Sequence, residues 1–392
     1  MVTPTTPYFV INEDSLAENI ETMASAMNDN WPKARLSYSV KTNSLPWILS
    51  YLCSKGVAAE VVSDEEYELA LLCGYKHRDI IFNGPCKGKK RMLDALACGA
   101  RVNVDSKREL EWLAASGLQC INPMSLGVRV NLPPSLFNPA DVGYTSTGFR
   151  FGFSADSGDL AAAIDKLSDV CDVSRIGLHM HCNSITRNPD VYRSIARYAV
   201  EIAEEYDLQP SFVDIGGGFF GGVPGKPSAG EYFGIIAEVL QSSWRMADCT
   251  LIAEPGSAII GSVVDLHTTV IDVKDTKLSR VVTTDGSRVH IDPLWQKSSY
   301  RYTLEGRSKV AFPRRQLVCG YTCMDHDRIM ELESERELYE GDTIVYHMVG
   351  AYSMTFGGPF IRYWPDVYVS SNNQLKRVRS RMSVDDYFAI QS

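Results

Sequence analysis

Paired cysteines, long apolar runs and an excess of positive charge are all missing from these 392 residues. The ten cysteines are scattered and include no CxxC pair, which argues against a disulfide framework and fits free thiols in a reducing compartment. Cys319 and Cys323 come nearest to a pair, but no His or Cys cluster flanks them at zinc spacing. No apolar stretch approaches the length of a membrane span, so no membrane partner is expected. A net charge of −9 argues against non-specific attraction to nucleic acid or anionic lipid. Met1–Pro7 lacks a basic region followed by an apolar stretch, so no secretory leader is expected and the expected setting is cytoplasmic. Low-complexity tracts and near-identical repeats are absent too.

What remains is the composition of an ordinary globular protein, 45% hydrophobic and 22% charged. Its length exceeds what one hydrophobic core usually holds, so two domains are expected. Short β-prone segments alternate with amphipathic helical ones up to about Gly256. The expected strands are 34–40, 57–62, 79–83, 101–105, 125–131, 175–181, 211–216 and 250–254. Helical patterns lie between most of them, at 65–73 and 191–206 among others. Eight strands with interleaved helices predict a (β/α)8 TIM barrel. A doubly wound sheet is the alternative, but it calls for a Gly-rich first turn where this chain has Lys41-Thr42-Asn43. The stretch 132–157 is long and aperiodic, as functional or mobile loops are. After Pro255 the rhythm turns to strands and turns, predicting a mostly-β C-terminal domain. We therefore expect a barrel over 12–257 and a β domain over 258–392, with segment 6–11 joining the latter.

Barrel chemistry sits at the C-terminal ends of the strands. Those ends carry Lys41, Glu60, Asn83, Asp105, Arg129, His179 through Ser184, Asp214 through Gly218, and Glu254-Pro255-Gly256. A lysine placed there can be desolvated, its pKa lowered, and a carbonyl captured as a Schiff base; a solvated charge is the ordinary alternative. Gly216, Gly217 and Gly218 can turn backbone N–H groups toward an anion, or form a plain flexible turn. Gly256, Ser184 and Ser257 would give a second anion contact. His179 and His181 share a strand face, but no third ligand stands at suitable spacing, so no metal is expected. One of these imidazoles stacked on a flat aromatic ligand suits the pattern better, with Glu254 bonded to a ring nitrogen.

From Thr6 to Phe360 these residues resemble the fold type III pyridoxal-phosphate decarboxylases, which include ornithine and diaminopimelate decarboxylases and share the alanine racemase-like fold. The run Tyr38-Ser39-Val40-Lys41-Thr42-Asn43 is similar to the family's Schiff-base segment. Ser63 with Glu66, Val104-Asp105-Ser106 and Val128-Arg129-Val130-Asn131 fit its barrel strands. The resemblance implies pyridoxal 5'-phosphate as cofactor, bound by Lys41 and His181, with Arg129 in the cofactor set. Ser184, Gly216, Gly217, Gly218, Gly256 and Tyr352 would hold its phosphate end. Glu254 would keep the pyridine ring protonated and stabilise a quinonoid. Cys323, donated across a homodimer interface with shared active sites, would return the proton. An acid at the ring nitrogen favours decarboxylation over the racemase alternative. A regulatory homologue without chemistry is the non-enzyme alternative, and it should have lost Lys41 or the glycine loop.

Three departures bear on substrate choice. The family writes Glu-Pro-Gly-Arg where this chain has Ser257, so phosphate or substrate anchoring must be rebuilt elsewhere. Met324, followed by Asp325, stands where an acidic residue commonly reads the substrate's far end. Asp292 stands where diaminopimelate decarboxylases carry an arginine, and Phe360 is the family's late aromatic. The resulting expectation is an amino acid or amino-acid conjugate other than diaminopimelate, as in polyamine, siderophore or antibiotic biosynthesis.

Overall fold

The first strand, β1 (Tyr8–Asn12), pairs with none of its near neighbours in sequence. The computed structural model describes residues 4–118, 121–122, 124–245, 247–372 and 374–392; Met1–Thr3 of the N-terminal run lie outside the described residues. Two units emerge from the contacts within the chain: Asn19–Ala258, and the N-terminal segment to Glu18 together with Ile259–Ser392.

The first unit is a closed barrel of parallel strands. In order these are β2 (Ala34–Ser39), β3 (Ala58–Ser63), β4 (Ile80–Cys86), β5 (Arg101–Val104), β6 (Leu126–Val130), β7 (Gly177–Met180), β8 (Phe212–Asp214) and β9 (Thr250–Ala253). They are buried on both faces, which is why they read as continuous apolar runs and could be placed from sequence. β9 closes on β2 through the pair Ala34 and Leu251. Ile81, Phe212 and Ile252 form part of the core.

After β3, β4 and β5 an α-helix follows within three residues. The helix Asp64–Leu72 begins at Ser63, whose hydroxyl accepts from the Glu66 backbone N–H. The Glu66 carboxylate in turn accepts from the Val62 N–H at 2.8 Å. The Ser63 and Glu66 motif is thus a cap at a helix start. Burial pushes the Glu66 carboxyl up to about 7. The folded state then binds a proton that the unfolded chain releases near pH 4.5, so stability is greatest below that pH and falls as pH rises through 7. Glu66 alone is expected to contribute a fall in stability between pH 5 and 8, on the order of 3 kcal/mol. The melting-temperature difference between wild type and Glu66→Gln should therefore change by that contribution across this range; a pH-independent difference would remove Glu66 from the titration.

The aperiodic stretch after β6 is stitched back onto the barrel. The Phe153 N–H donates to the Arg129 carbonyl at 2.8 Å, and the Asn131 N–H donates to the Phe153 carbonyl at 2.9 Å. Asn131 Nδ2 also donates to the carbonyls of Phe149 and Phe151. This return segment is fastened where a mobile loop was one of two expectations.

The second unit is a nine-stranded sheet. It comprises β1 with β10 (Val264–Asp275), β11 (Arg280–Thr284), β12 (Arg301–Glu305), β13 (Gln316–Cys319), β14 (Arg328–Leu332), β15 (Thr343–His347), β16 (Asp366–Ser371) and β17 (Gln374–Arg379). β1 lies antiparallel to β10 and parallel to β16. The sequence pattern predicts strands here at 263–273, 280–285, 316–319, 343–348 and 364–370, so β12, β14 and β17 are additions. No helix among the described residues is long and apolar enough to cross a membrane, and all nine described cysteines are free thiols.

Candidate functional site

Lys41 sits in the tight turn Val40–Thr42 that ends β2. Its Nζ donates to Glu60 Oε2 and to Ser39 Oγ, each at 2.7 Å. The lysine side chain is 44% exposed and that of Glu60 is 2% exposed, so the expected desolvated amine is instead an ion pair at the surface of a buried acid. Burial alone would raise the Glu60 carboxyl. The Lys41 charge, with hydrogen bonds from Lys41, Ser39 and Asn83, outweighs it and holds Glu60 below the usual range.

Asn83, in the middle of β4, joins the two sides of the site. Its Nδ2 lies 3.3 Å from Glu60 Oε1 and 2.7 Å from Glu254 Oε1, and its Oδ1 accepts from Asn103 at 2.8 Å. The chain therefore runs Lys41, Glu60, Asn83, Glu254 without a gap. Burial, then the charges of Asp214 and Glu60, push the Glu254 carboxyl well above its ordinary range. Burial takes neighbouring Asp214 up to about 6. Carboxyls this close in a dry interior do not ionise together, so a proton is stored beside Glu254.

His179, Asp214 and Glu254 each place a polar atom within 4.8 Å of the others. Sequence spacing found no third partner for the histidines because these two acids arrive on β8 and after β9. His179 is buried with no hydrogen bond to either ring nitrogen among the described residues. Burial and then the Arg129 charge keep it neutral. His181 follows β7 beyond His179, and burial, with Arg129 and Lys41 nearby, lowers it to about 3. Both imidazoles are neutral at physiological pH.

The glycines give this region its shape. Gly216 has φ +68°, and a Cβ there would lie 2.5 Å from the His181 ring. A Cβ on Gly256 would collide with Thr42, the neighbour of Lys41. Gly217 and Gly218 continue the turn after β8, and the Tyr192 hydroxyl donates to the Gly217 carbonyl at 3.2 Å. Ser184 Oγ donates to the Asp141 carbonyl and accepts from the Arg187 N–H at 2.8 Å. Arg129 is paired with Asp105 at 3.1 Å and lies over the Phe151 ring. Ser257 Oγ accepts from Arg187 Nη1 at 3.2 Å.

Cys323, Met324, Asp325, Asp292, Tyr352 and Phe360 belong to the β unit. Cys323 is an exposed thiol after β13. Its turn is held by buried Asp327, which accepts from Thr322 Oγ1 at 2.7 Å and Ser287 Oγ at 2.8 Å. Asp325 is exposed and Met324 is half-buried. Asp292 is buried and paired with Arg288, and it also accepts from Gln296, Lys297 and Tyr300. Tyr352 is 39% exposed, at a φ of 52° that side chains with a Cβ seldom adopt. Phe360 is exposed. Sequence reasoning marked Glu60, Asn83 and Asp214 only as strand ends, and it did not foresee the contact of Arg187 with Ser257.

Residues 17–261 match the pyridoxal-binding domain of pyridoxal-dependent decarboxylases. Diaminopimelate decarboxylase of Archaeoglobus fulgidus is 27% identical over 91% of this chain and 85% of its own length. An L-glutamyl-[BtrI acyl-carrier protein] decarboxylase of Niallia circulans is 23% identical over 98% of this chain and 94% of its own. Among solved structures, diaminopimelate decarboxylase from M. jannaschii with L-lysine superposes with a TM-score of 0.84, at 22% identity over 99% of this chain and 92% of that one. Most of the similar proteins are diaminopimelate decarboxylases, which lends no support to excluding that substrate. With a barrel, a β unit and a family match across more than half its length, the chain belongs to the pyridoxal-dependent decarboxylases, carboxy-lyases that work with pyridoxal 5'-phosphate.

Proposed function

We propose that this chain decarboxylates an amino acid or amino-acid conjugate at the mouth of its barrel. The observation that carries the reading is the unbroken link from the Lys41 amine through Glu60 and Asn83 to the proton-holding Glu254. The residues fit pyridoxal phosphate: an amine for its aldehyde, a buried acid for its ring nitrogen, a neutral imidazole in His181 for its face, and the Gly216–Gly218 turn with Gly256 and Ser184 for its phosphate. When bound, the cofactor supplies an electron sink for the charge left after CO2 departs. Lys41 is the attachment point, and Glu60 holds its amine in place. Glu254 retains the proton that a ring nitrogen needs, and Asn83 fixes the carboxyl facing it. The glycine cradle excludes side chains from the anion, and burial together with the charge of Arg129, itself held by Asp105, keeps His179 and His181 neutral.

For the substrate we propose something other than free meso-diaminopimelate. The names of the relatives weigh against this. It is supported by Ser257, Met324 and Asp292, none of which offers a cation to a distal carboxylate; Asp292 is itself an anion committed to Arg288. The test is the absorbance spectrum of purified protein before and after borohydride, followed by CO2 release across amino acids, meso-diaminopimelate and glutamyl conjugates. A near-visible band removed by reduction is expected. A colourless protein that pyridoxal phosphate cannot reconstitute would sink the decarboxylase reading, and ordinary turnover of meso-diaminopimelate would sink the substrate exclusion.

Homodimerisation with shared sites belongs to the same proposal, with Cys323 as proton donor from the partner protomer. Exposed Tyr352, Phe356, Phe360 and Ile361 on the β unit support it as an apolar surface in need of a cover. Strain at Tyr352 is the kind of backbone outlier that marks a ligand clamp. Co-refolding equal amounts of Lys41→Ala and Cys323→Ala protein should restore about a quarter of wild-type activity, because half the dimers would then hold one intact site. Mixtures as inactive as the parents would show that each site is built within one chain.

A further inference from the structure

We infer that Arg187 is the oxyanion-binding arginine of this barrel mouth, standing in for the cation that position 257 does not supply. The inference rests on the reading of the mouth as a cofactor site and adds to it a residue outside every motif used to find it.

Four observations converge on Arg187. Its guanidinium lies at the two segments that form the anion cradle: Nη1 donates to Ser257 Oγ at 3.2 Å and to the Phe219 carbonyl at 3.3 Å, immediately beyond Gly218. Its backbone is clamped from both sides, by the Ser184 hydroxyl accepting from its N–H at 2.8 Å and by the Tyr232 hydroxyl donating to its carbonyl at 2.7 Å. That clamp maintains φ at 55°, a conformation with an energetic cost that a solvated surface arginine has no need to bear. Finally, its guanidinium lies 4.9 Å from the Phe220 ring centroid, with Lys226 5.1 Å from the same centroid, so two cations share one aromatic ring.

Arg187 forms no ion pair among the described residues, although its guanidinium is permanently charged. Nε and Nη2 make no hydrogen bond there either. Three N–H donors therefore stay available for the planar, bidentate recognition of a phosphate or carboxylate. A serine at 257 makes sense in this setting. An arginine there would bring a second guanidinium against the first, whereas a hydroxyl accepts from Arg187 and steers it.

The ligand chemistry is an oxyanion, either the cofactor's phosphate or a carboxylate of the substrate. Protein stripped of cofactor is titrated with pyridoxal phosphate, pyridoxal and inorganic phosphate, comparing wild type with Arg187→Gln and Arg187→Lys. If the phosphate is the ligand, Arg187→Gln weakens pyridoxal phosphate and inorganic phosphate by about 10–100-fold and leaves pyridoxal unchanged. Arg187→Lys, which keeps the charge without the fork, falls between. If a substrate carboxylate is the ligand, cofactor affinity is unaltered and KM for the acidic substrate rises by a similar factor with little change in kcat. The double variant Arg187→Gln with Ser257→Arg should recover the lost binding in either case. Unchanged affinity for all probes together with an unchanged KM overturns the inference. Wild-type protein that binds inorganic phosphate through Arg187 but never binds pyridoxal phosphate would instead overturn the cofactor reading.

Discussion

Lys41→Ala protein should lose CO2 release by at least about 10³-fold, and cofactor should wash out on dialysis even after borohydride. By the proposed reading the Lys41 amine fastens the cofactor covalently, and no other amine stands in the described Glu60 network. The substitution has a second effect that must be separated from the first. It leaves the Glu60 carboxylate, whose side chain is 2% exposed, without its counter-ion, and an uncompensated buried charge carries a cost in stability. Part of that cost is avoided if Glu60 takes up a proton, because removing the Lys41 charge lets burial raise its pKa. Lys41→Ala combined with Glu60→Gln should therefore fold more stably than Lys41→Ala alone while remaining equally inactive. A Lys41→Ala enzyme that retains a tenth of its activity would show that the attachment point lies elsewhere.

Glu254→Gln should lower kcat by about 10²–10³-fold while cofactor content stays near wild type. Glutamine matches the shape of glutamate and keeps an oxygen for Asn83 Nδ2, so the chain of hydrogen bonds survives. What disappears is the acid that retains a proton against a ring nitrogen. Glu254→Ala would lose both, and the difference between the two variants measures what Asn83 contributes by positioning. Because Asp214 is raised by the same burial and has its own claim on a proton, it should partly cover for Glu254→Gln at low pH. Residual activity should then rise as pH falls through about 6, whereas the wild type shows no such rise. A Glu254→Gln enzyme within tenfold of wild type at neutral pH would remove Glu254 from the chemistry.

The barrel was legible because its strands are buried on both faces, so that Ile80–Phe82 or Leu251–Ala253 could hardly be anything else. The β unit was less so. β17 reads Gln374-Leu-Lys-Arg-Val-Arg379, mostly exposed and heavily charged, the dress of an edge strand guarded against further pairing. Such a segment looks like loop until its partner β16 is seen. β12 is hidden for the same reason, with Leu304 its one buried residue. In the site, the rule that chemistry gathers at strand ends identified Lys41, Glu254 and the glycines. It could not say that Asn83 reaches Glu254 across 171 positions, because that pairing is a property of barrel closure. Arg187 had no signal at all: it lies in an aperiodic turn, and its meaning depends on Ser257 seventy residues away.

The pairing of β1 with β10 and β16 sets an order of assembly on the ribosome. Tyr8–Asn12 is made before either partner: its antiparallel neighbour begins at Val264 and its parallel one at Asp366. At typical elongation rates of 5–20 residues per second, the first strand waits roughly 13–50 s for its first partner. The barrel, contiguous in sequence, can close during that interval. The nascent chain thus carries an unpaired β-prone strand through that interval, and the wait is when a chaperone, or a neighbouring nascent chain, would find it.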